Sequence, residues 1–479
     1  MAVHQETLFI GGEWVKPAST NRIEAISAST EDVIGSVPEG SPADMDRAID
    51  AARKAVKDSA WSQATPAERS AAMHRFADAI EKRAPQIAEA VSSQNGMPIV
   101  MSEQLEAGYC VALLRYYAEL AAGLELEESR PSPLGSTTLV RREPVGVVGA
   151  IVPWNFPVIL SMMKIAPALA AGCSIVLKPS PETVLDSVLI AEAAEEAQLP
   201  PGVISWVPGG RELGAYLVSH PGIDKVAFTG SSGAGRIIAQ ECAKLLRPVS
   251  LELGGKSAAI LLDDMDLDAF VQAVPSVSML NSGMACFSCT RILAPASRYN
   301  DVVEAIAAGV SSFPVGNPLD RNTVVGPMAS SAHRQRVESY IAKGKGEAKL
   351  VTGGGRPASQ EKGWFVEPTV FADLDNSAVI AQEEIFGPVL SIISYKDEAD
   401  AVRIANDSEY GLGGTVWSKD SEHAAQVARL MESGTIGVNG YMPDLNAPFG
   451  GIKSSGLGRE MGPEAISAYQ QYKSIYMMG

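Results

Sequence analysis

The sequence predicts an α/β fold of two doubly wound parallel sheets, and three observations carry that prediction. From Val145 onward, short runs rich in β-branched residues alternate with stretches of helical period. Those runs have apolar centres, as strands covered on both faces must. A second alternating series begins near Ser257, and 479 residues are too many for a single core.

Taken in order, FIGGEWV (residues 9–15) reads as a strand hairpin. Ser41-Pro42 opens a helix with Asp44 and Asp46 in its first turn. Thr65-Pro66 opens the next, with Glu68 at the third helical position, the spacing of a capping box. Residues 102–124 continue with helix-forming composition and apolar spacing near about 3.6. The first series of strands is VGVVGAIV (145–152), SIVLKP (174–179), VISWVPG (203–209) and KVAFTG (225–230), with helices at about 158–171, 183–197, 211–218 and 233–246. The second includes AAILLD, RILAP, KLVTGG, VLSIISY and TVWS, ending near Gly440. The stretch 157–177 is apolar enough to suggest a membrane span. However, Lys164, Pro167 and Gly172 interrupt it, so it reads as helix, turn and strand.

A formal charge of −17 and a pI near 4.9 argue against nucleic acid as a partner, since phosphates would be repelled. The amino-terminal residues include Glu6 and show no apolar run after a basic start, so no signal peptide is expected. Cysteines 110, 173, 242, 286 and 289 form an odd, sparse set, which points to a reducing compartment, the cytoplasm by default.

No strand is followed by GxGxxG. The nearest glycine cluster, Gly230 to Gly235, has other spacing, but it follows a strand and opens a helix, so its amides could face an anion. A plain strand-to-helix turn fits it equally. Gly255-Lys256-Ser257 echoes a phosphate loop but lacks the required glycine, Ser250 standing in its place.

Three residues invite chemistry. Cys286, in NSGMACFSCTR, is a candidate nucleophile at the mouth of an α/β domain. A small buried hydrophobe is the plain alternative, and with Cys289 it forms a CxxC, a spacing shared with redox pairs and half zinc sites. Histidines 4, 74, 220, 333 and 423 show no pairing that would complete a zinc set. Glu252, among Val249, Leu251 and Leu253 at a strand end, reads as a buried carboxylate raised toward neutrality and usable as a base, or as a solvent-side glutamate. Asn155, bracketed by Pro153 and Pro157, could offer its amide to an oxyanion, or simply form a turn.

PWNFP, FTGS, LELGGKS, the cysteine loop with Arg291 five residues beyond Cys286, EEIFGPV and PFGGIKSSGLGRE occur in one order along essentially the whole chain. Together they resemble the aldehyde dehydrogenase superfamily. The resemblance implies a dinucleotide-binding domain over 1–125 and 145–253, a catalytic domain over 254–454, and an oligomerisation arm and terminal strand over 126–144 and 455–479. It makes Cys286 the nucleophile in preference to Cys289. Asn155 becomes the oxyanion donor, Glu252 the base that activates water, and Lys164 a proton-relay lysine. It places NAD along Ile151, Pro153, Trp154, Lys178, Ser180, Gly230, Ser231, Leu253, Glu384 and Phe386. The implied reaction runs through a thiohemiacetal and a thioester that water hydrolyses. Where many members carry a glutamate that binds the adenosine ribose, this chain has Pro181, with Glu182 next. That departure leaves NADP possible beside NAD, with Glu182 a candidate substitute.

The resemblance also lines the aldehyde tunnel with Phe156, Leu160, Met163, Met284, Phe287 and Phe449. All are apolar, which favours a medium-chain aliphatic, terpenoid or aromatic aldehyde over an acidic one. The alternating STTLVRR (136–142) and the tail YQQYKSIYMM offer strand edges that ask for a partner, so a homodimer or homotetramer is expected. The rivals are a coenzyme-A-acylating dehydrogenase, against which Glu252 argues, and a non-catalytic structural relative, against which the intact Cys286, Asn155 and Glu252 argue.

Overall fold

The computed structural model describes residues 3–133 and 135–478. Met1, Ala2, Leu134 and Gly479, which the expected amino-terminal range, arm and tail include, lie outside them. The fold class is the predicted one: two mostly parallel sheets flanked by helices, and a small antiparallel arm.

The first sheet has eight strands in the order Gly456–Leu457, Val249–Glu252, Lys225–Thr229, Val147–Ile151, Ser174–Lys178, Ile204–Trp206, Leu8–Ile10 and Glu13–Val15. The central five are parallel, and the outer strands join antiparallel. From Val147–Ile151 the chain winds outward through Ser174–Lys178 and Ile204–Trp206, then crosses back to Lys225–Thr229. The strand order therefore reverses between Val147–Ile151 and Lys225–Thr229, and a crevice opens at their carboxyl ends. The second sheet runs Lys349–Thr352, Thr369–Ala372, Val389–Tyr395, Arg291–Pro295, Ala258–Leu261, Gly414–Trp417 and Gly437–Val438, parallel except at its first edge. The arm pairs Gln470–Met477 along the full length of Thr137–Pro144, which also pairs Glu127–Pro131.

Local chemistry explains the elements that position the cleft. Ser41 and Thr65 both close capping boxes, on Pro42–Lys57 and Pro66–Lys82. The apolar stretch 157–177 becomes the buried helix Pro157–Ala171, a turn at Gly172 and the strand Ser174–Lys178. Gly172 sits at φ +91°, and a Cβ there would stand 2.5 Å from the Arg69 guanidinium, so only glycine fits. Among the described residues no helix is long and apolar enough to cross a membrane. One apolar core packs around the first sheet, and two others cover the faces of the second.

Two features depart from the sequence reading. A three-stranded sheet of Val3–His4, Arg22–Ile26 and Val33–Pro38 precedes the first helix. Within 102–124, Glu103–Tyr109 is wound as a π-helix before Cys110–Ala122 resumes α geometry. From that wider turn, buried Glu106 accepts hydrogen bonds from the Val158 and Ile159 amides at 2.7 and 3.3 Å, capping the helix Pro157–Ala171.

Candidate active site

Strand register brings the first set of candidates into one row. Ile151 lies opposite Lys178 on one side and Phe228 on the other, and Thr229 lies opposite Glu252. Lys178 and Ser180, Ile151 to Asn155, Gly230 and Ser231, and Glu252 and Leu253 thus follow the carboxyl ends of four neighbouring strands. The second sheet closes the row from above. The Glu384 carboxylate accepts from the Gly255 amide at 2.9 Å, and the Phe386 ring meets Trp154 edge-on at 5.4 Å.

Asn155 is fixed from two sides. Its carbonyl accepts from the amides of Asn95 (3.2 Å) and Asn281 (2.9 Å), and Asn95 also holds the Trp154 carbonyl at 2.9 Å. Its own Nδ2 donates to the Met284 carbonyl at 3.0 Å, two residues before Cys286. The cysteine loop is entered through three consecutive left-handed residues, Asn281, Ser282 and Gly283, at φ +49°, +57° and +78°. Backbone strain of this kind persists where surrounding contacts over-determine it. Here Ser282 Oγ accepts from the Gly326 amide at 2.9 Å, and a Cβ on Gly283 would lie 2.2 Å from the Gly387 carbonyl.

The two cysteines of the CxxC have different surroundings. Cys286 is half-buried and packs against the first core beside Phe287, whereas Cys289 is fully buried under the second sheet, with Thr415 Oγ1 at 3.7 Å. All five cysteines are free, and no metal-ligating cluster occurs among the described residues. Arg291 points away from the thiol. Its guanidinium donates to Lys256 O (2.9 Å), Asn376 Oδ1 (2.9 Å), Ile404 O (2.9 Å) and Ala405 O (2.8 Å), anchoring the exit of the loop.

Burial dominates the electrostatics. It pushes the Cys286 thiol well up, with Glu384 and Glu252 adding repulsion. Glu252 is itself held well above the carboxylate range by burial and by Glu460, while Lys164 and Arg459 pull it down. Burial raises Glu384 to about 7. Lys164 Nζ donates to Thr229 Oγ1 (2.6 Å) and Glu460 Oε1 (2.8 Å). Among the described residues, Glu252 Oε2 and Glu460 Oε2 have no partner.

Phe156, Leu160, Met163 and Phe449 are buried together in the first core, with Phe287 against them; its ring meets Phe449 at 6.0 Å and Tyr441 at 4.9 Å, both edge-on. Met284 does not join this wall. Its side chain is fully buried in a core of the second sheet, and only its carbonyl serves the site, because the left-handed turn before it directs the side chain away.

The row suits a dinucleotide. Ser231 caps the helix Ser232–Lys244 by accepting from the Ala234 amide, and a Cβ on Gly233 would meet nothing within 4 Å, which leaves room for a diphosphate at the first turn. Lys178 Nζ, pulled down to about 8 by burial, is held by the Pro179 and Gly209 carbonyls, with Glu182 and Glu39 within electrostatic reach. Ser180 Oγ donates to the Glu182 carboxylate. Glu460, at the end of GLGRE, is a site residue that the sequence alone does not single out. The same holds for Tyr441, the two clamping asparagines and His333, whose ring packs 4.8 Å from Trp154. A lone histidine carries no signal until its neighbours are known.

The model of the "aldehyde dehydrogenase family" matches residues 14–475. The chain is 65% identical over 479 residues to the geranial dehydrogenase of Castellaniella defragrans, covering 100% of both. It resembles the crystal structure of Mycobacterium tuberculosis aldehyde dehydrogenase complexed with NAD+ at a TM-score of 0.97 and 45% identity, over 100% of this chain and 99% of that one. A mutant aldehyde dehydrogenase C of Pseudomonas syringae, complexed with NAD+ and octanal, matches at 0.94 and 38%, over 98% and 96%.

Proposed function

The chain belongs to the aldehyde dehydrogenase family, and within it we propose an NAD-dependent enzyme that oxidises an apolar aldehyde, terpenoid or medium-chain aliphatic, to its acid. One observation carries the substrate class: the wall of Phe156, Leu160, Met163, Phe449 and Phe287 beside Cys286 contains no cation. Lys164, the basic residue nearest in sequence, is occupied by Glu460 and Thr229. An acidic aldehyde would bury its carboxylate there without a partner. The relative named geranial dehydrogenase and the neighbour holding octanal support the same class.

In this reading Cys286 Sγ attacks the carbonyl carbon, and its proton passes to one of the raised carboxylates, Glu252 or Glu384. The free N–H of Asn155 and the Cys286 amide hold the oxyanion, on the order of 3 kcal/mol per donor. NAD bound along the row would accept the hydride, and its positive ring would favour the thiolate. Glu252, having released any proton taken from the thiol, then takes a proton from the water that cleaves the thioester, which supports hydrolysis over transfer to coenzyme A. Glu182 and Glu39 near Lys178 support NAD over NADP, since both would repel a 2′-phosphate in place of the carboxylate missing at Pro181. Exposed Tyr472, Ile475, Tyr476 and Met477 on the arm support pairing with a second copy, as a dimer or tetramer, and the five free cysteines support a cytoplasmic location.

Comparing kcat/KM for geranial, octanal and succinic semialdehyde with NAD tests the substrate class. The apolar pair should lead by on the order of 100-fold. A preference for the semialdehyde overturns it.

A further inference from the structure

The polar groups beneath the first sheet extend beyond Lys164 and Glu460. On the Lys225–Thr229 strand, alternation puts Lys225 and Thr229 on one face. On Val249–Glu252, it puts Ser250 and Glu252 on that same face, Ser250 opposite Ala227 and Glu252 opposite Thr229. Lys225 is buried, donates to Ser250 Oγ at 2.7 Å, and lies 5.1 Å from the centre of the Tyr469 ring. The Tyr469 hydroxyl is buried without a partner among the described residues, as are Glu460 Oε2 and Glu252 Oε2. Orphaned oxygens in one strip call for ordered water between them. At the far end, exposed Gly458 crosses over Ser250; a Cβ on it would lie 3.5 Å from Ser250 Oγ.

We propose that Lys225, with Tyr469 and Ser250, continues the proton route from Glu252 and Glu460 to the surface beneath Gly458. The proposal rests on the hydrolytic role given to Glu252. In that step the water oxygen bonds to the acyl carbon while one O–H bond breaks, its proton going to Glu252. The C–S bond then breaks with its electron pair on Sγ, leaving one proton on Glu252 to clear before the next cycle. The Lys225 ammonium gives a proton to solvent past Ser250, and the amine so formed takes up the proton from Glu252 through bound water and the Glu460–Lys164 pair. The proton affinities suit the transfer. Burial draws Lys225 down to about 8 despite Cys173, Glu460 and Cys242, whereas burial and Glu460 lift Glu252 against Lys164 and Arg459. Donor and acceptor thus approach one another.

The test uses the intact enzyme with NAD and octanal, reading the first-turnover burst of NADH, the steady-state rate and its solvent deuterium isotope effect. Lys225→Met should keep the burst, slow the steady state roughly three- to tenfold and enlarge the isotope effect. Lys225→Arg keeps a cation that cannot release its proton and should be as slow. Tyr469→Phe and Ser250→Ala should show the same effect in smaller measure, and they carry the test if the Lys225 variants do not fold. Wild-type turnover in Lys225→Arg, or an unchanged isotope effect in all variants, overturns the proposal. If Glu252→Gln turns over normally, it is the hydrolytic reading that has failed instead.

Discussion

Arg291 and Lys164 are both cations with almost no exposed surface, one under each sheet, and their surroundings differ in a single respect. Arg291 donates to three backbone carbonyls and one asparagine, so every group it meets is satisfied. Lys164 also has its partners, but Glu460, which it bonds, and Glu252, which it attracts, each keep a buried oxygen with no partner among the described residues. A complete buried network rigidifies, whereas an incomplete one costs stability, a cost proteins retain at sites that move a proton or bind a ligand. The contrast therefore separates residues that hold the cysteine loop from residues that act on what the loop binds.

The largest effect should come from the incomplete network. Glu252→Gln keeps the shape and removes the base, so steady-state turnover should fall on the order of 100- to 10,000-fold while the first-turnover NADH burst survives. Thermal stability should stay level or rise, because the substitution relieves a buried acid repelled by Glu460. A variant that loses the burst along with turnover would move Glu252 from the water step to thiol activation.

Arg291 should behave in the opposite way. Arg291→Met strands the Lys256, Ile404 and Ala405 carbonyls and the Asn376 amide oxygen, at a cost of about 3 to 5 kcal/mol. A chemical-denaturation midpoint would report that loss, while kcat per folded molecule should change less than about tenfold. Unchanged stability with abolished activity would contradict the division between the two networks.

The same division explains what the sequence could reveal. Strands such as KVAFT and RILAP are legible because fully buried parallel strands have apolar centres and end at turn residues, the polar Lys225, Thr229 and Arg291 standing only at their ends. The N-terminal sheet is not, since Arg22–Ile26 alternates weakly and is ordered by pairing with Val33–Pro38. Glu252 and Asn155 stand out as polar residues at strand ends and Cys286 as a thiol in a glycine-containing loop; Glu252 lies within electrostatic reach of the Cys286 thiol, and Asn155 donates to the Met284 carbonyl two residues before it. Met284 was misplaced because spacing along a loop cannot show that three left-handed residues precede it. Glu460 carries no signal of its own in the sequence, because its importance lies in Lys164, nearly three hundred positions away.

Glu106 sharpens the comparison with the smallest effect, being an intermediate case. One of its oxygens caps the helix that carries Lys164, and the other is unpaired, facing the field of buried Asp186. Burial, with Asp186 adding, raises Glu106 from 4.5 to about 8 against the pull of the Val158 and Ile159 amides, and burial raises Asp186 from 3.8 to about 7. Between those unfolded and folded values the folded protein holds more protons than the unfolded chain, so stability should be fullest at the acid end of the window and decline as pH rises toward 8. Glu106→Gln keeps an acceptor for the two amides and removes the titration. The variant should therefore lose little at pH 5 and gain on the wild type by pH 8, a change of a few kcal/mol at most. Denaturation midpoints measured across that range would show the two curves converging or crossing. If they stayed parallel, Glu106 would be charged in the folded protein and its cap as complete as the setting of Arg291.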